Sequence, residues 1–165
     1  INLTTELVGD VIAEALKHIH KKSEMQKITV IQQDELLLAK MDARLIVQVL
    51  INLLDNAIKY TPSDSQITIT AKKDGNMISV SVSDNGNGIA DEQKSRVFDM
   101  FYTGTNKIAD SRRSIGLGLS LCKSIINAHG GEITITDNNP HGAVFTFTLP
   151  IGEVEIFEQL IGFGG

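Results

Sequence analysis

The chain has 165 residues, of which 42% are hydrophobic, 21% charged and 5% aromatic, with no Trp; this is the composition of one globular domain with an aliphatic core, not of a disordered, collagenous or disulfide-framed chain. Fifteen Lys and Arg against twenty Asp and Glu leave a formal charge of −5, which opposes broad contact with a phosphate backbone and argues against nucleic acid as a partner. The single Cys122 excludes an internal disulfide and implies a reducing compartment, and no apolar run approaches the ~20 residues of a membrane span.

Residues 5–22 carry Leu7, Val8, Val11, Ile12, Ala15, Leu16 and Ile19 at helical spacing, which predicts an amphipathic helix capped by Thr4 or Thr5. Residues 27–32 and 36–40 read as two strands of a hairpin around Gln33-Asp34-Glu35. Asp42 opens a second helix that runs to Tyr60 and stops at Thr61-Pro62, because the residue before proline avoids the helical region. Residues 66–72 and 77–84 alternate in period two around Asp74-Gly75-Asn76, the strongest hairpin signal in the chain. A short helix is predicted at 91–98. The stretch 102–114 is polar, aperiodic and long for a connection, the mark of a functional lid or of a disordered segment. A helix over 116–129 ends at Gly130-Gly131, and residues 132–137 and 143–149 form a last hairpin. Helices and hairpins in this order predict an α+β fold: a two-layer α/β sandwich whose mixed, mostly antiparallel sheet carries helices on one face. The domain occupies 1–150, followed by an apolar tail, 151–165, and the start at Ile1 without a signal-peptide pattern implies a piece of a longer polypeptide.

Three features carry chemistry. On the second helix Ile46, Leu50, Leu53, Leu54 and Ala57 share one face, while Asn52, Asn56 and Lys59 fall on the other and Tyr60 lies at the border. That polar face is either a solvated surface or a ligand surface. An amide carbonyl suits Mg²⁺, so Asn56 is a candidate metal ligand, with Lys59 for phosphate and Tyr60 as a flat surface for a base. Asp84-Asn85-Gly86-Asn87-Gly88-Ile89 follows a predicted strand. It is a tight turn or a carboxylate beside backbone that a planar ring, such as adenine with its exocyclic amine, approaches closely. Gly116-Leu117-Gly118-Leu119 opens a helix, where free N–H groups and the helix dipole favour an anion.

Together Asn52-Leu-Leu-Asp-Asn56-Ala-Ile-Lys-Tyr60, Asp84-Asn-Gly86-Asn-Gly88-Ile, Phe98-Asp-Met-Phe101 and Gly116-Leu-Gly118-Leu resemble the N, G1, F and G2 boxes of the catalytic ATP-binding domain of sensor histidine kinases. That family belongs, with the gyrase, Hsp90 and MutL ATPases, to the superfamily with the Bergerat-type ATP-binding fold. The resemblance covers about residues 42–150. Asn106 to Ser114 and Cys122 to Gly131 resemble, further, the potassium and turgor sensors of the KdpD type.

The resemblance implies ATP and Mg²⁺ as cofactors. Asn56 matches the magnesium-ligating Asn, Lys59 the phosphate-contacting basic residue, Tyr60 the base-stacking aromatic and Asp84 the adenine-reading acid. Gly86, Gly88, Gly116 and Gly118 match the glycines that hug the nucleotide, with Ile89, Phe98, Leu117 and Leu119 in the same boxes. Lys107, Arg112 and Arg113 lie in the segment matching the ATP lid, where one of them reaches the γ-phosphate or all three are solvated charges. Ala143 departs from the family, which commonly has Thr there. In the hydrolase members a Glu stands where this chain has Asn52; an amide cannot take a proton from water, so poor hydrolysis is expected.

None of His18, His20, His129 and His141 sits in the family's phosphoacceptor sequence. His129 reads as a charge at a helix C-terminus and His141 as a turn residue. The implied partners are therefore an upstream dimerisation and phosphoacceptor domain of the same polypeptide and, through it, a response regulator, in a homodimeric, membrane-anchored bacterial receptor. This cytoplasmic part would itself make no direct membrane contact. An ATP-hydrolysing clamp, an anti-sigma-factor-like serine kinase and a degenerate nucleotide-binding or interaction module are the alternatives. Asn52, the KdpD-like lid and the intact boxes, respectively, rank them lower.

Overall fold

The structure is a computed structural model that describes residues 1–99 and 113–152, with side chains in the second stretch from residue 118 onward. Eleven elements follow in chain order within these residues: β1 (Thr4–Leu7), α1 (Val8–Leu16), β2 (Lys27–Gln32), β3 (Leu38–Met41), α2 (Ala43–Tyr60), β4 (Gln66–Asp74), β5 (Met77–Asp84), α3 (Asp91–Lys94), α4 (Arg113–Ala128), β6 (Ile133–Asp137) and β7 (Ala143–Pro150). The expected lid at 102–114, with Lys107 and Arg112, falls almost wholly outside the described residues, as does the tail from 153 on. Arg113, Gly116 and Leu117 are seen only as backbone of α4.

A five-stranded sheet in the order β2-β4-β5-β7-β6 forms one layer. Only the β2/β4 pair is parallel; the other three pairs are antiparallel. The expected α+β sandwich with a mixed, mostly antiparallel sheet is therefore the observed fold. Strand alternation sends Ile67, Ile69 and Ala71 of β4, Ile78, Val80 and Val82 of β5, and Phe145, Phe147 and Leu149 of β7 into the core. There they meet Ile46, Leu50, Leu53 and Leu54 of α2 and Ile125 and Ile126 of α4. Asp84 has the same parity as Val80 and Val82, so the strand that builds the core delivers this carboxylate to the helix side of the sheet.

Two expectations fail at the N-terminal end. Thr4 and Thr5 do not cap a helix; they lie in β1, which pairs antiparallel with β3. The helix starts at Val8, with Leu7 at the cap position and no side-chain cap, and its first N–H is satisfied by the Leu37 carbonyl at 2.9 Å. It ends at Leu16, not Lys22. Nor do β2 and β3 form a hairpin. Gln33-Asp34-Glu35 lacks a glycine for a primed turn, and the Asp34 carboxylate accepts the Leu36 N–H at 2.9 Å, which turns the chain away and buries Leu37. A released β2 then lies parallel to β4, started by the Lys27 N–H donating to the Ser65 carbonyl at 3.0 Å.

Other expectations hold closely. The β4/β5 hairpin turns through Gly75 at φ +63°, and α2 spans the expected residues. The 91–98 helix is shortened to α3, and the chain continues in single turns, Arg96 N–H to Gln93 and Asp99 N–H to Arg96, both 2.9 Å. The end of α4 is a Schellman motif, with the Gly130 N–H on Asn127 O, the Gly131 N–H on Ile126 O and Gly130 at φ +76°.

His129 at this end is not a surface charge; it is only 2% exposed. Its Nε2 accepts the Asp42 N–H at 3.0 Å, so its Nδ1 carries the proton and donates to the Ile125 carbonyl at 2.7 Å. The neutral ring thus fastens the end of α4 to the start of α2. His129→Leu leaves the buried Asp42 amide without its acceptor, a loss of about 1–3 kcal/mol. A lowered urea midpoint at unchanged slope checks this; an unchanged midpoint contradicts it.

Candidate functional site

The site assembles around α2. Asn52 faces α4, where its Nδ2 donates to the Gly118 carbonyl at 3.4 Å and its Oδ1 accepts from Gln48 Nε2 at 3.0 Å. A Cβ on Gly118 would meet the Asn52 side chain at 3.5 Å, an ordinary contact, so Gly118 lies directly against Asn52 without the packing itself demanding a glycine. Cys122, one turn on, donates weakly to the Val49 carbonyl, and burial pushes its thiol up to about 12, leaving it inert.

Asn56 lies one turn beyond Asn52 and is 8% exposed, so the polar side of α2 is not simply a solvated face. Its amide has no hydrogen-bond partner among the described residues. Its polar atoms are not among the buried, unpartnered ones, so the amide opens to solvent, and a carbonyl oxygen presented in this way suits a hard cation with its own waters. The observation fits the ligand role expected of Asn56. Lys59 is exposed and shares the electrostatic environment of Asp55, whose carboxyl is raised by burial and held back by the charges of Lys59 and His20. Tyr60 is 41% exposed at the last helical position.

The C-terminus of α2 is locked by residues that periodicity does not reveal. Lys22 Nζ donates to the Lys59 and Thr61 carbonyls, both at 2.7 Å, placing a cation on the negative end of the helix. Buried Gln26 donates through Nε2 to Ser65 Oγ at 3.0 Å and to Ile58 O and Thr61 Oγ1 at 3.3 Å. Thr61 Oγ1 in turn donates to Ala57 O at 2.6 Å. The one available signal was Thr61-Pro62, which marks the helix end but not its partners.

Thr61 also carries the contact to the second feature. A Cβ on Gly86 would stand 2.8 Å from Thr61 Cγ2, so only glycine lets the loop after β5 lie against the end of α2. Asp84 at the head of this loop is 8% exposed. Its Oδ1 accepts the Gly86 N–H at 2.9 Å and the Ala143 N–H at 3.3 Å. Both bonds land on Oδ1, which leaves Oδ2 as acceptor for an incoming donor among the described residues. Burial raises the Asp84 carboxyl above the usual range, partly offset by these two amides. Ala143 contributes to the site only its backbone N–H. Gly88 takes φ +76° and packs against the Gly142 carbonyl.

Phe98 stacks edge-on with Phe145, ring centres 6.1 Å apart, which fastens the segment after α3 to the sheet two residues from the strand end opposite Asp84. Ile89 packs against the core and Leu119 is part of it. Lys94 bridges Asp91 and, at 2.7 Å, Asp137, tying α3 to β6. The structure thus sets Gly118 against Asn52 and the Asp84–Gly86 loop against Thr61, at the two ends of the stretch of α2 that carries Asn56, Lys59 and Tyr60. Among the described residues no group of three His, Cys, Asp or Glu forms a metal cluster, so a cation here would depend on neutral oxygens and on oxygens of its ligand.

Residues 41–153 match the family described as histidine kinase-, DNA gyrase B- and HSP90-like ATPases. The chain is similar to the sensor protein KdpD of Clostridium acetobutylicum, 41% identical over 150 residues, which is 91% of this chain and 17% of that protein. It spans only a small part of that relative. It is also similar to the catalytic domain of the histidine kinase ThkA, with a TM-score of 0.80 and 30% identity over 93% of this chain and all of that one. A structure of ThkA in complex with the response regulator TrrA matches at a TM-score of 0.75 and 32% identity, covering 90% of this chain and 42% of that one.

Proposed function

The chain belongs to the histidine kinase-, DNA gyrase B- and HSP90-like ATPases and is a catalytic ATP-binding domain of the sensor histidine kinase kind; from that premise we propose that it transfers the γ-phosphate of ATP to a histidine on a separate phosphoacceptor domain. Residues 1–150 form the catalytic unit in this reading. The observation that carries it is a pair of largely buried residues whose acceptors have no partner among the described residues: the Asn56 amide and Oδ2 of the Asp84 carboxylate. They are spaced along α2 and β5, joined by the Thr61–Gly86 contact.

Asp84 reads the amine of adenine, Tyr60 covers the ring, and Lys59 neutralises phosphate charge. Asn56 would hold Mg²⁺, which when bound would supply positive charge to neutralise the phosphates. Gly116 lies in the first turn of α4, whose unpaired N–H groups face the phosphates, and Gly118 lies against Asn52 of α2. Lys107, Arg112 and Arg113 supply further positive charge, one of them at the γ-phosphate. Asn52 cannot deprotonate water, so hydrolysis is slow. A neutral imidazole is already a nucleophile, and transfer to it needs positioning and charge neutralisation more than a base.

The acceptor histidine belongs to an upstream dimerisation domain of a homodimeric, membrane-anchored receptor, which passes the phosphoryl group to a response regulator. That ThkA is seen with a response regulator supports such a partner. The 165-residue chain alone is expected to bind ATP with Mg²⁺ and to incorporate no stable label from γ-labelled ATP. Calorimetry and autoradiography of the same sample test this. Absent binding overturns the nucleotide reading, and stable self-labelling overturns the separate acceptor.

A further inference from the structure

The loop that carries Asp84 is gripped from the side away from α2 by the turn joining β6 to β7, residues 138–142. Asn138 Nδ2 donates to the Asp84 carbonyl at 2.7 Å. The His141 ring donates from Nδ1 to the Gly86 carbonyl at 2.9 Å. The turn is itself closed by the Asn138 N–H on Gly142 O at 3.0 Å and the Asn139 N–H on Asn138 Oδ1 at 2.9 Å. A Cβ on Gly142 would overlap the Asp84 carbonyl oxygen, and Gly142 takes φ +120°, so backbone packs directly on backbone here. The next residue, Ala143, gives its N–H to Asp84 Oδ1.

Two carbonyls of the Asp84–Gly86 loop are thus held by two side chains of a turn far away in sequence. The carbonyl of Asp84 itself is one of them. Without these bonds the carboxylate keeps the Gly86 and Ala143 N–H groups on Oδ1, but the backbone that carries it loses its side-chain anchors on the turn, so its angle is less tightly set. We propose that Asn138 and His141 are positioning residues for base recognition: the 138–142 turn holds the Asp84 carboxylate at the angle that reads the purine. The inference rests on the nucleotide-binding reading above and extends it to two residues that act through the backbone of the Asp84–Gly86 loop.

The consequence is selective. ATP depends on the Asp84 bond, whereas guanine places a carbonyl opposite the same carboxylate and gains nothing from its alignment. The test is competition of ATP and GTP against a fluorescent ATP analogue on the full chain, for wild type, Asn138→Ala, His141→Ala and His141→Asn. Each Ala variant should weaken ATP about three- to tenfold, the worth of one neutral hydrogen bond, while GTP stays within about twofold. His141→Asn places an amide Nδ2 near the former Nδ1 and should recover most of the ATP affinity. A parallel fall of ATP and GTP, or no fall of either, overturns the proposal, since a turn that merely supports the fold moves both together. Equal ATP and GTP affinities in the wild type overturn the underlying base reading instead, and are seen before any variant is made.

Discussion

ATP is expected to bind this domain at least about tenfold more tightly than GTP, and Asp84→Asn to narrow the gap while weakening ATP. An ionised carboxylate only accepts hydrogen bonds, so Oδ2 pairs with the amine at adenine C6 but faces a second acceptor when guanine takes the same pose. Losing a charge-assisted bond at a buried group is worth about 1.5–3 kcal/mol, roughly 10–150-fold in affinity. The amide that replaces the carboxylate in the variant rotates to offer either a donor or an acceptor and so discriminates less. Stability separates this from a folding defect. Burial raises the Asp84 carboxyl, so ionising it costs the nucleotide-free fold. Its contribution is fully present below the unfolded value and is lost as pH rises through the raised folded value. Asn carries no such cost, so nucleotide-free Asp84→Asn should melt at or above the wild type at neutral pH, with the difference closing as the pH falls through the carboxylate range. A variant that melts well below the wild type at neutral pH contradicts the account.

Asn56→Asp should cut phosphotransfer at least about tenfold, and as much as about a hundredfold, the range typical of damage to a metal environment. The substitution preserves size at a position only 8% exposed but puts a negative charge where the triphosphate is proposed to lie. A carboxylate remains a good oxygen ligand, so metal affinity alone is the wrong readout. The transfer rate at saturating ATP is the right one, because it reports charge and geometry at the reacting phosphate. Transfer at the wild-type rate would remove Asn56 from the site.

The second helix, the 66–84 hairpin and the glycine-ended fourth helix were legible because each is set by local chemistry: a 3.6-residue apolar period stopped by Thr61-Pro62, a period-two pattern about Gly75, and a Gly130 that takes φ +76°. The N-terminal third was not. Residues 5–7 fit a helix or a strand equally well, and only pairing with β3, distant in sequence, decides for the strand. For β2 the apparent hairpin partner was near in sequence, while the true one, β4, lies beyond α2. The residues proposed to face the ligand were visible as short motifs, since Asn56, Asp84 and the glycines sit at fixed spacing. The residues that hold them were not. Gln26, Lys22, Asn138 and His141 are isolated polar side chains in turns, and nothing in the sequence says that Gln26 ends beneath Thr61 or His141 on the Gly86 carbonyl. His129 misled for the same reason, its acceptor role depending on a backbone amide 87 residues away.

The transfer step is tested most directly by incubating the chain with γ-labelled ATP, Mg²⁺ and the separate phosphoacceptor domain, then treating the labelled acceptor with acid and with base. Phosphohistidine is lost in acid and survives base; phosphoserine does the reverse. The account predicts label on the acceptor domain that is acid-labile and base-stable, appearing only when both proteins are present. Acid-stable, base-labile label, or release of inorganic phosphate with no labelled acceptor, would contradict it.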